Sequence, residues 1–395
     1  MHNLPLNGIT VLEFSQYLSG PVAGLRLADF GARVIKIERP GRGDACRQLP
    51  IKNLWTDDNT LLFHTINRNK ESFTADLKSE ADLEVVRKLI GMADVVTHNF
   101  RPGVMERAGL GAENVMKLNP AIIYAEISGY GKKGPWKNLP GQDLLVQSMS
   151  GLVYTSGNAG DHPVPFGLSI ADSICGNQLV QAILAALIRR HKTGKGAHIE
   201  MSLMESVLDF QFELLTTYFA SGQLPQRSEM SNGHPLLASP YGTYETADGF
   251  IAIAMVNLHQ LALAIYCPPL YAYRQEDAFI HRDEIKQLLS EHMVERGTDW
   301  WLERLHRQDI WAMAVLDWKE LQQHPAYRFV QMEQQVVTGE GKKIITTRCP
   351  VRINGERLTS EKAAPQLGEH TGSIIKEFQN SSKQVPPGEY FTEAI

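Results

Sequence analysis

Between Ser173 and Arg190 the chain has no polar face: Leu179, Val180, Ile183, Leu184, Leu187 and Ile188 spread around every side of a helix. A surface helix hides one apolar stripe, so a helix apolar all round is expected inside a large domain. One acid, Asp172, stands where this helix begins, within a stretch from Pro165 to Met204 that is otherwise rich in apolar and small residues. The positive end of a helix and its free N–H groups favour a carboxylate there, while scarcity of water works against its full solvation. Asp is also among the commonest N-caps. From these residues alone Asp172 is either a cap or a reactive group.

The segments before this helix alternate strand and helix. Ile9 to Phe14 reads as a strand, Gly20-Pro21 as a turn opening a helix over Val22 to Phe30, and Val34 to Glu38 as a second strand. A helix from Ala81 to Ile90 and strands at Asp94 to Thr97 and Ile122 to Ile127 continue the pattern. It predicts an α/β fold: a large doubly wound, Rossmann-like domain with a mostly parallel sheet. After the turn at Lys192, the apolar residues Met204, Val207, Leu208, Phe212, Leu215 and Phe219 recur at helical spacing. The stretch Ser221 to Pro235, rich in Gly, Pro, Ser and Asn, reads as a linker.

Beyond it, Tyr241 to Met255 reads as two strands around the turn Ala247-Asp248-Gly249, and Asp283 to Leu305 as two helices with Trp300 and Trp301 between them. This predicts a smaller α+β domain. The strand-like segment Ile344 to Ile353 and a final helix at Gly372 to Phe378 predict a return to the large domain. The expected division is 1–220, 221–330 and 331–395, with a polar, mobile tail from Gln379.

With 395 residues, 43% of them hydrophobic, the chain can enclose more than one core. A net charge of -5 argues against nucleic acid as a partner, but leaves room for local cations that hold a small phosphate-bearing ligand. The four cysteines, Cys46, Cys175, Cys267 and Cys349, are scattered singly and read as reduced thiols, with no zinc spacing among them. The chain opens without a signal-like segment and no apolar run approaches membrane-spanning length, so a cytoplasmic protein without a membrane partner is expected.

Gly129-Tyr-Gly131-Lys-Lys-Gly134 matches G-x-G-x-x-G, yet Pro135 and Trp136 follow where a dinucleotide-binding helix should start. The motifs of phosphate loops, zinc proteases and the hydrolase elbow are missing. The thirteen histidines form no ligand-spaced cluster, and His98, His234 and His370 read as hydrogen-bonded structural residues.

A set of short stretches, in order, resembles one family. LEFSQYLSGP (12–21), FGARVIKIERPGRGDACR (30–47), NRNKESFTADLK (67–78), ADVVTHNFRPGVMERAGL (93–110), NPAIIYAEISGYGKKGP (119–135), ADSICG (171–176) and HKTGKGAHIEMSL (191–203) are similar to the class III coenzyme A transferases, or CaiB/BaiF family. The likeness extends to 234–257 and 363–371 and is thin between Leu258 and Pro350.

The resemblance implies an enzyme that moves CoA from an acyl-CoA donor to a small carboxylic acid, with CoA as substrate and no prosthetic group or metal. It implies that Asp172 is the nucleophile, carrying CoA as an aspartyl thioester. That role suits a desolvated acid at a helix start, because excluding water raises carboxylate nucleophilicity. For CoA it points to Arg39, to Ala75, Asp76, Leu77 and Lys78, to Asn99, Phe100 and Arg101, and to Arg107. Leu18 and Ser19 match a turn whose backbone N–H groups approach the thioester. A homodimer of interlocked chains is implied as well.

Two departures stand out. The racemase branch carries a G-H-D motif, but here Gly141-Gln142-Asp143 replaces histidine with a side chain that cannot shuttle a proton. The formyl-CoA:oxalate branch carries a glycine-rich loop, but 232–240 holds no glycine run. The alternatives to a transferase are a CoA-thioester racemase or epimerase and a non-catalytic acyl-CoA-binding protein.

Overall fold

The structure, a computed structural model, describes residues 4–381. The expected mobile tail lies outside the described residues from 382 onward, and Gln379 to Ser381 close the last helix. The chain divides into two compact units. Residues 4–143, 170–206 and 332–381 make the first, and 144–169 with 207–331 the second.

The first unit is built on six strands: β1 (Thr10–Glu13), β2 (Arg33–Glu38), β3 (Glu71–Thr74), β4 (Val95–His98), β5 (Ile123–Ser128) and β6 (Ala197–Ser202). They lie side by side in the order β3-β2-β1-β4-β5-β6, every neighbouring pair parallel. The parallel α/β reading of the sequence therefore holds. Val11, Leu12, Val34, Ile35, Val95 and Val96 are all buried, the near-continuous apolar run expected of strands covered on both faces.

The helices that matter here are α1 (Ser19–Asp29), α2 (Leu61–Asn67), α3 (Glu80–Met92), α4 (Val104–Arg107), α5 (Ala112–Leu118), α6 (Asp143–Met149) and α7 (Ile170–Thr193). On one face, Leu12, Ile35, Phe73, Val96 and Tyr124 pack against Leu83, Val86 and Leu89 of α3, Val115 of α5 and Ile374 of the C-terminal helix Thr371–Ser381. On β1 the residue after Leu12 points the other way: Glu13 lies against Gly24 of α1, so α1 and its neighbour α7 cover the opposite face. Winding runs outward from β1 to β3 and then reverses to β4. The loops that follow β1 and β4 therefore flank a topological switch point, where open α/β sheets take their ligands.

Helix α7 departs from the expectation of burial on all sides. Ala171, Cys175, Leu179, Val180, Ile183 and Ala186 are buried, but Asn177 and Gln181 face outward and Ile188 is 61% exposed. One stripe meets α1 and β5, and among the described residues nothing covers the other. By length and composition α7 could cross a membrane, which corrects the expectation that no run approaches that length. Its buried stripe is that of a helix seated on a sheet.

The second unit holds a small antiparallel sheet of β7 (Gly242–Glu245), β8 (Phe250–Ile253) and β9 (Ala312–Ala314), with β8 in the middle. Tyr244, Ile251 and Ile253 from it pack with Leu261, Ile285, Leu289, Trp301 and Leu305 of three neighbouring helices. Trp300 and Trp301 sit inside the helix Thr298–Arg307 rather than between two helices, a correction. Trp301 faces the core and its indole N–H donates to Met293 O at 2.7 Å, which closes the preceding helix Arg282–Met293. The single helix expected through Met204 and Phe219 is two, α8 (Leu203–Phe210) and α9 (Phe212–Ser221), and α9 buries none of its residues.

Candidate active site

Asp172 lies in the first turn of α7, and its carboxylate is turned toward the start of α1 rather than capping its own helix. It accepts hydrogen bonds from both the backbone N–H and the hydroxyl of Ser19, the buried first residue of α1. The two helix starts can approach because residue 176 is glycine: a Cβ there would stand 2.6 Å from Ser19 O. A second carboxylate is close by. The Asp172 N–H donates to Asp143 Oδ2 at 3.1 Å, and Asp143, which opens α6, is itself buried.

Burial and the adjacent Asp143 carboxylate push the Asp172 carboxyl up to about 6, and the Ser19 hydrogen bonds oppose the rise. Cys175, one turn further along α7, is no rival nucleophile, since burial holds its thiol up at about 12. The arrangement therefore presents one oxygen nucleophile, largely ionised above pH 6, short of water and backed by two donors from another helix. That is what attack on an electrophilic carbonyl requires.

Ser19 and Leu18 end the loop that follows β1. Leu18 is the N-cap residue of α1, and its side chain packs with Cys46, Phe63, Ile66 and Ala364. Asn99, after β4, reaches across the switch point: its Oδ1 accepts from Gln16 N at 2.8 Å, and its Nδ2 donates to Gln16 O at 2.6 Å and to Ser19 Oγ at 3.3 Å. The Asn99 side chain is thus spent on the β1 loop. Phe100 stacks on the His98 ring, with centroids 6.1 Å apart.

Arg39 follows β2, Lys78 follows β3, Arg101 follows β4 and Arg107 ends α4. All four are exposed. Among the described residues none of them has a side-chain hydrogen bond or an ion pair. Unpaired cations beyond the carboxyl ends of successive strands suit a ligand carrying several phosphate charges. Ala75 is buried in the sheet's core and its N–H donates to Glu38 O at 2.9 Å. Asp76 accepts from Lys78 N at 3.1 Å and donates its own N–H to Asp82, and Leu77 packs on the core.

Asp143 is the site residue that sequence reasoning left without a role. Its neighbour Gln142 is exposed at the same helix start. A grouping of Glu126, His198 and Glu200 also escaped, because Glu126 of β5 is far in sequence from the other two and meets them only where β5 and β6 pair. Their ligand atoms lie within 4.8 Å of one another, but Lys132 Nζ already stands 2.5 Å from Glu126. His98 is buried against Tyr124, whose hydroxyl is 2.9 Å from its Nε2, while His370 Nδ1 accepts from Ser72 N and His234 Nδ1 from Leu236 N.

Residues 6–371 match CoA-transferase family III. The chain is 32% identical to the succinate–glutarate CoA-transferase of Agrobacterium fabrum, covering 97% of this chain and 98% of that one. It is 33% identical to the acetyl-CoA:oxalate CoA-transferase of Acetobacter aceti, over 95% and 96% of the two chains. Human α-methylacyl-CoA racemase is similar as well, at 30% identity over 97% and 95%. Among solved structures, a CaiB/BaiF family protein from Brucella suis superposes with a TM-score of 0.82 at 31% identity, over 95% of this chain and all of that one.

Proposed function

Because the chain belongs to CoA-transferase family III and is thus an enzyme acting on CoA thioesters, we propose that it carries CoA on Asp172 from an acyl-CoA donor to a small carboxylic acid. The observation that carries this reading is the Asp172 carboxylate itself, desolvated, paired with Asp143 and held by the N–H and hydroxyl of Ser19.

The Asp172 carboxylate attacks the donor thioester carbonyl, and CoA thiolate leaves a mixed anhydride. The thiolate then attacks the aspartyl carbonyl of that anhydride, which frees the donor acid and leaves an aspartyl-CoA thioester. An acceptor carboxylate attacks this thioester in turn, again expelling thiolate. Thiolate attack on the acceptor's acyl carbon forms the new acyl-CoA and restores Asp172. No proton has to move and nothing is oxidised or reduced. Ser19 steadies the oxygen charge at Asp172 as it is made and unmade, and Asp143 fixes the start of α7 through the Asp172 N–H. Arg39, Lys78, Arg101 and Arg107 receive the phosphate groups of CoA, with Phe100 beside them.

Small acids are the proposed acceptors, dicarboxylates among them, as the succinate–glutarate and acetyl-CoA:oxalate activities named for the relatives in Agrobacterium fabrum and Acetobacter aceti suggest. The racemase reading is the weaker one: Gln142 stands where that branch has its proton-shuttling histidine. A panel of acyl-CoA donors against mono- and dicarboxylates, followed by mass spectrometry, tests the proposal. Asp172→Ala should abolish transfer while CoA still binds, and hydroxylamine added during turnover should mark Asp172 as its hydroxamate. Substantial transfer by the variant would refute the nucleophile. Deuterium entering the α-carbon of a branched acyl-CoA at a turnover-like rate would favour the racemase.

A further inference from the structure

The loop that brings Ser19 to Asp172 is gripped from below by buried charge. Ser15 O accepts from Lys36 Nζ at 2.8 Å, Tyr17 N–H donates to Asp44 Oδ1 at 3.1 Å, and Pro21 O accepts from Lys70 Nζ at 2.8 Å. The charges holding these backbone atoms also hold one another. Lys36 Nζ is 2.7 Å from Asp44 Oδ2 and 2.9 Å from Glu13 Oε1, and Lys70 Nζ is 2.8 Å from Glu13 Oε2. All four side chains are buried. Glu13 and Lys36 come from the adjacent strands β1 and β2, Asp44 from the loop after β2, and Lys70 from the segment before β3.

Taking two acids and two lysines out of water is costly, and a cluster of this kind adds little net stability over apolar packing. What it supplies here is a fixed backbone. Tyr17 is held at φ 62°, a left-handed conformation that bulky residues rarely adopt unless their surroundings impose it. Its side chain, 55% exposed, is not wedged into that shape. The bond from its N–H to Asp44 restrains Tyr17 directly, while Asn99 holds Gln16 before it, and two residues later the chain delivers Ser19.

We propose that Asp44 and Lys36 are positioning residues for CoA transfer: acting through the backbone of residues 15–17, they set Ser19 against the Asp172 carboxylate. This inference rests on Asp172 being the group that carries CoA. Asp44 can do the work because it uses both oxygens, one accepting from Tyr17 N and Cys46 N, the other ion-paired with Lys36 Nζ. An asparagine has one acceptor oxygen and cannot serve both sides. With the restraint gone, Tyr17 relaxes toward negative φ and Ser19 withdraws. Asp172 is then left to burial and to Asp143, both of which favour its protonated form, while Cys175 beside it stays neutral.

The test uses the full chain in two variants. Asp44→Asn breaks the restraint at the carboxylate. Tyr17→Pro breaks it at the loop without touching a buried charge, because proline fixes φ near −65° and has no N–H. For both, kcat should fall on the order of 10- to 100-fold, as for a slightly misplaced catalytic group. KM for acyl-CoA should change little, and the acid limb of the kcat profile should move to higher pH. Carbon-13 NMR, with the Asp172 signal assigned through Asp172→Asn, should show that carboxyl titrating at higher pH in each variant. An unmoved acid limb and an unmoved Asp172 titration in Tyr17→Pro, or in a folded Asp44→Asn, would overturn the proposal, since a merely structural role predicts rate losses that follow the folded fraction. If the unmutated protein transferred no CoA from any donor, the transferase reading would fail by itself. The Asp172 titration would still decide this inference: a rise in the variants supports the positioning role, and no rise sinks it.

Discussion

Asp172 is ionised at neutral pH in a place that disfavours ionisation, and that has two opposite effects. Its carboxyl is raised from an ordinary 3.8 to about 6, so the folded chain prefers the protonated form. The stability belonging to that form is fully present below pH 3.8 and is lost as pH rises through about 6. Asp172→Asn, neutral throughout, is expected to be more stable than the unmutated chain at pH 8 by ~1–3 kcal/mol. The gap should close toward pH 4, as thermal melts across pH would show. Transfer by the unmutated enzyme should in turn fall as pH drops below about 6. Equal melting temperatures at pH 8 would mean that burial does not strain this group. The acid itself was legible in the sequence because everything around it is apolar or small. Asp143 was not. It stands 29 positions earlier, and only the meeting of two helix starts makes it a neighbour. Among the cations Arg39 was legible as a residue following a strand and the others through the resemblance, while their lack of acidic partners became visible only with the fold.

At the scale of elements, four of the six parallel strands could be read because apolar, β-branched runs buried on both faces have few other uses, and their observed ends fall within a residue or two of those expected, whereas β3 and β6, which mix polar and apolar residues, were not read. The break between α8 and α9 could not, since the apolar spacing continues straight through it. Gln211 makes the break: its side-chain amide donates to Val207 O and Ser150 O, a local competition with the helix that no periodicity reports. The packing of α1 on β1 was equally hidden, and it sets a sharp contrast between two glycines. A Cβ on Gly24 would lie 1.7 Å from Glu13 Oε2, inside the buried charge cluster, whereas one on Gly91 near the end of α3 would meet nothing within 4 Å. Gly24→Ala is expected to cost ~3 kcal/mol or more by prising apart that ion cluster. Gly91→Ala should stabilise by ~0.5–1 kcal/mol. Urea unfolding of the two variants checks both signs, and a harmless Gly24→Ala would mean that Glu13 and its lysines can shift as a body.

For the whole molecule, the surface of a single chain leaves large apolar side chains in water: in the second unit Phe212 and Phe219 of α9 are 63% and 76% exposed, and in the first Ile188 of α7 is 61% exposed. Large apolar side chains left in water point to association. The proposed assembly is a homodimer in which each chain threads through the other. Light scattering should give a dimer mass even at nanomolar concentration, and tagged and untagged subunits should not exchange over hours at about 25 °C, because parting them would require unfolding. Rapid exchange would rule out threading and leave the transferase reading intact. The return of the chain to its first unit has a bearing on how the protein is made. Ile374 of the C-terminal helix is fully buried in the same cluster as Leu12 of β1, and Arg33 on β2 is bridged by Glu377. A ribosome that has finished β1 must still add more than three hundred residues before the helix that covers this part of the sheet exists. Throughout that interval the nascent sheet carries an open apolar seat, so the turns of this late helix decide whether all the earlier synthesis yields a folded enzyme or material for chaperones and proteases.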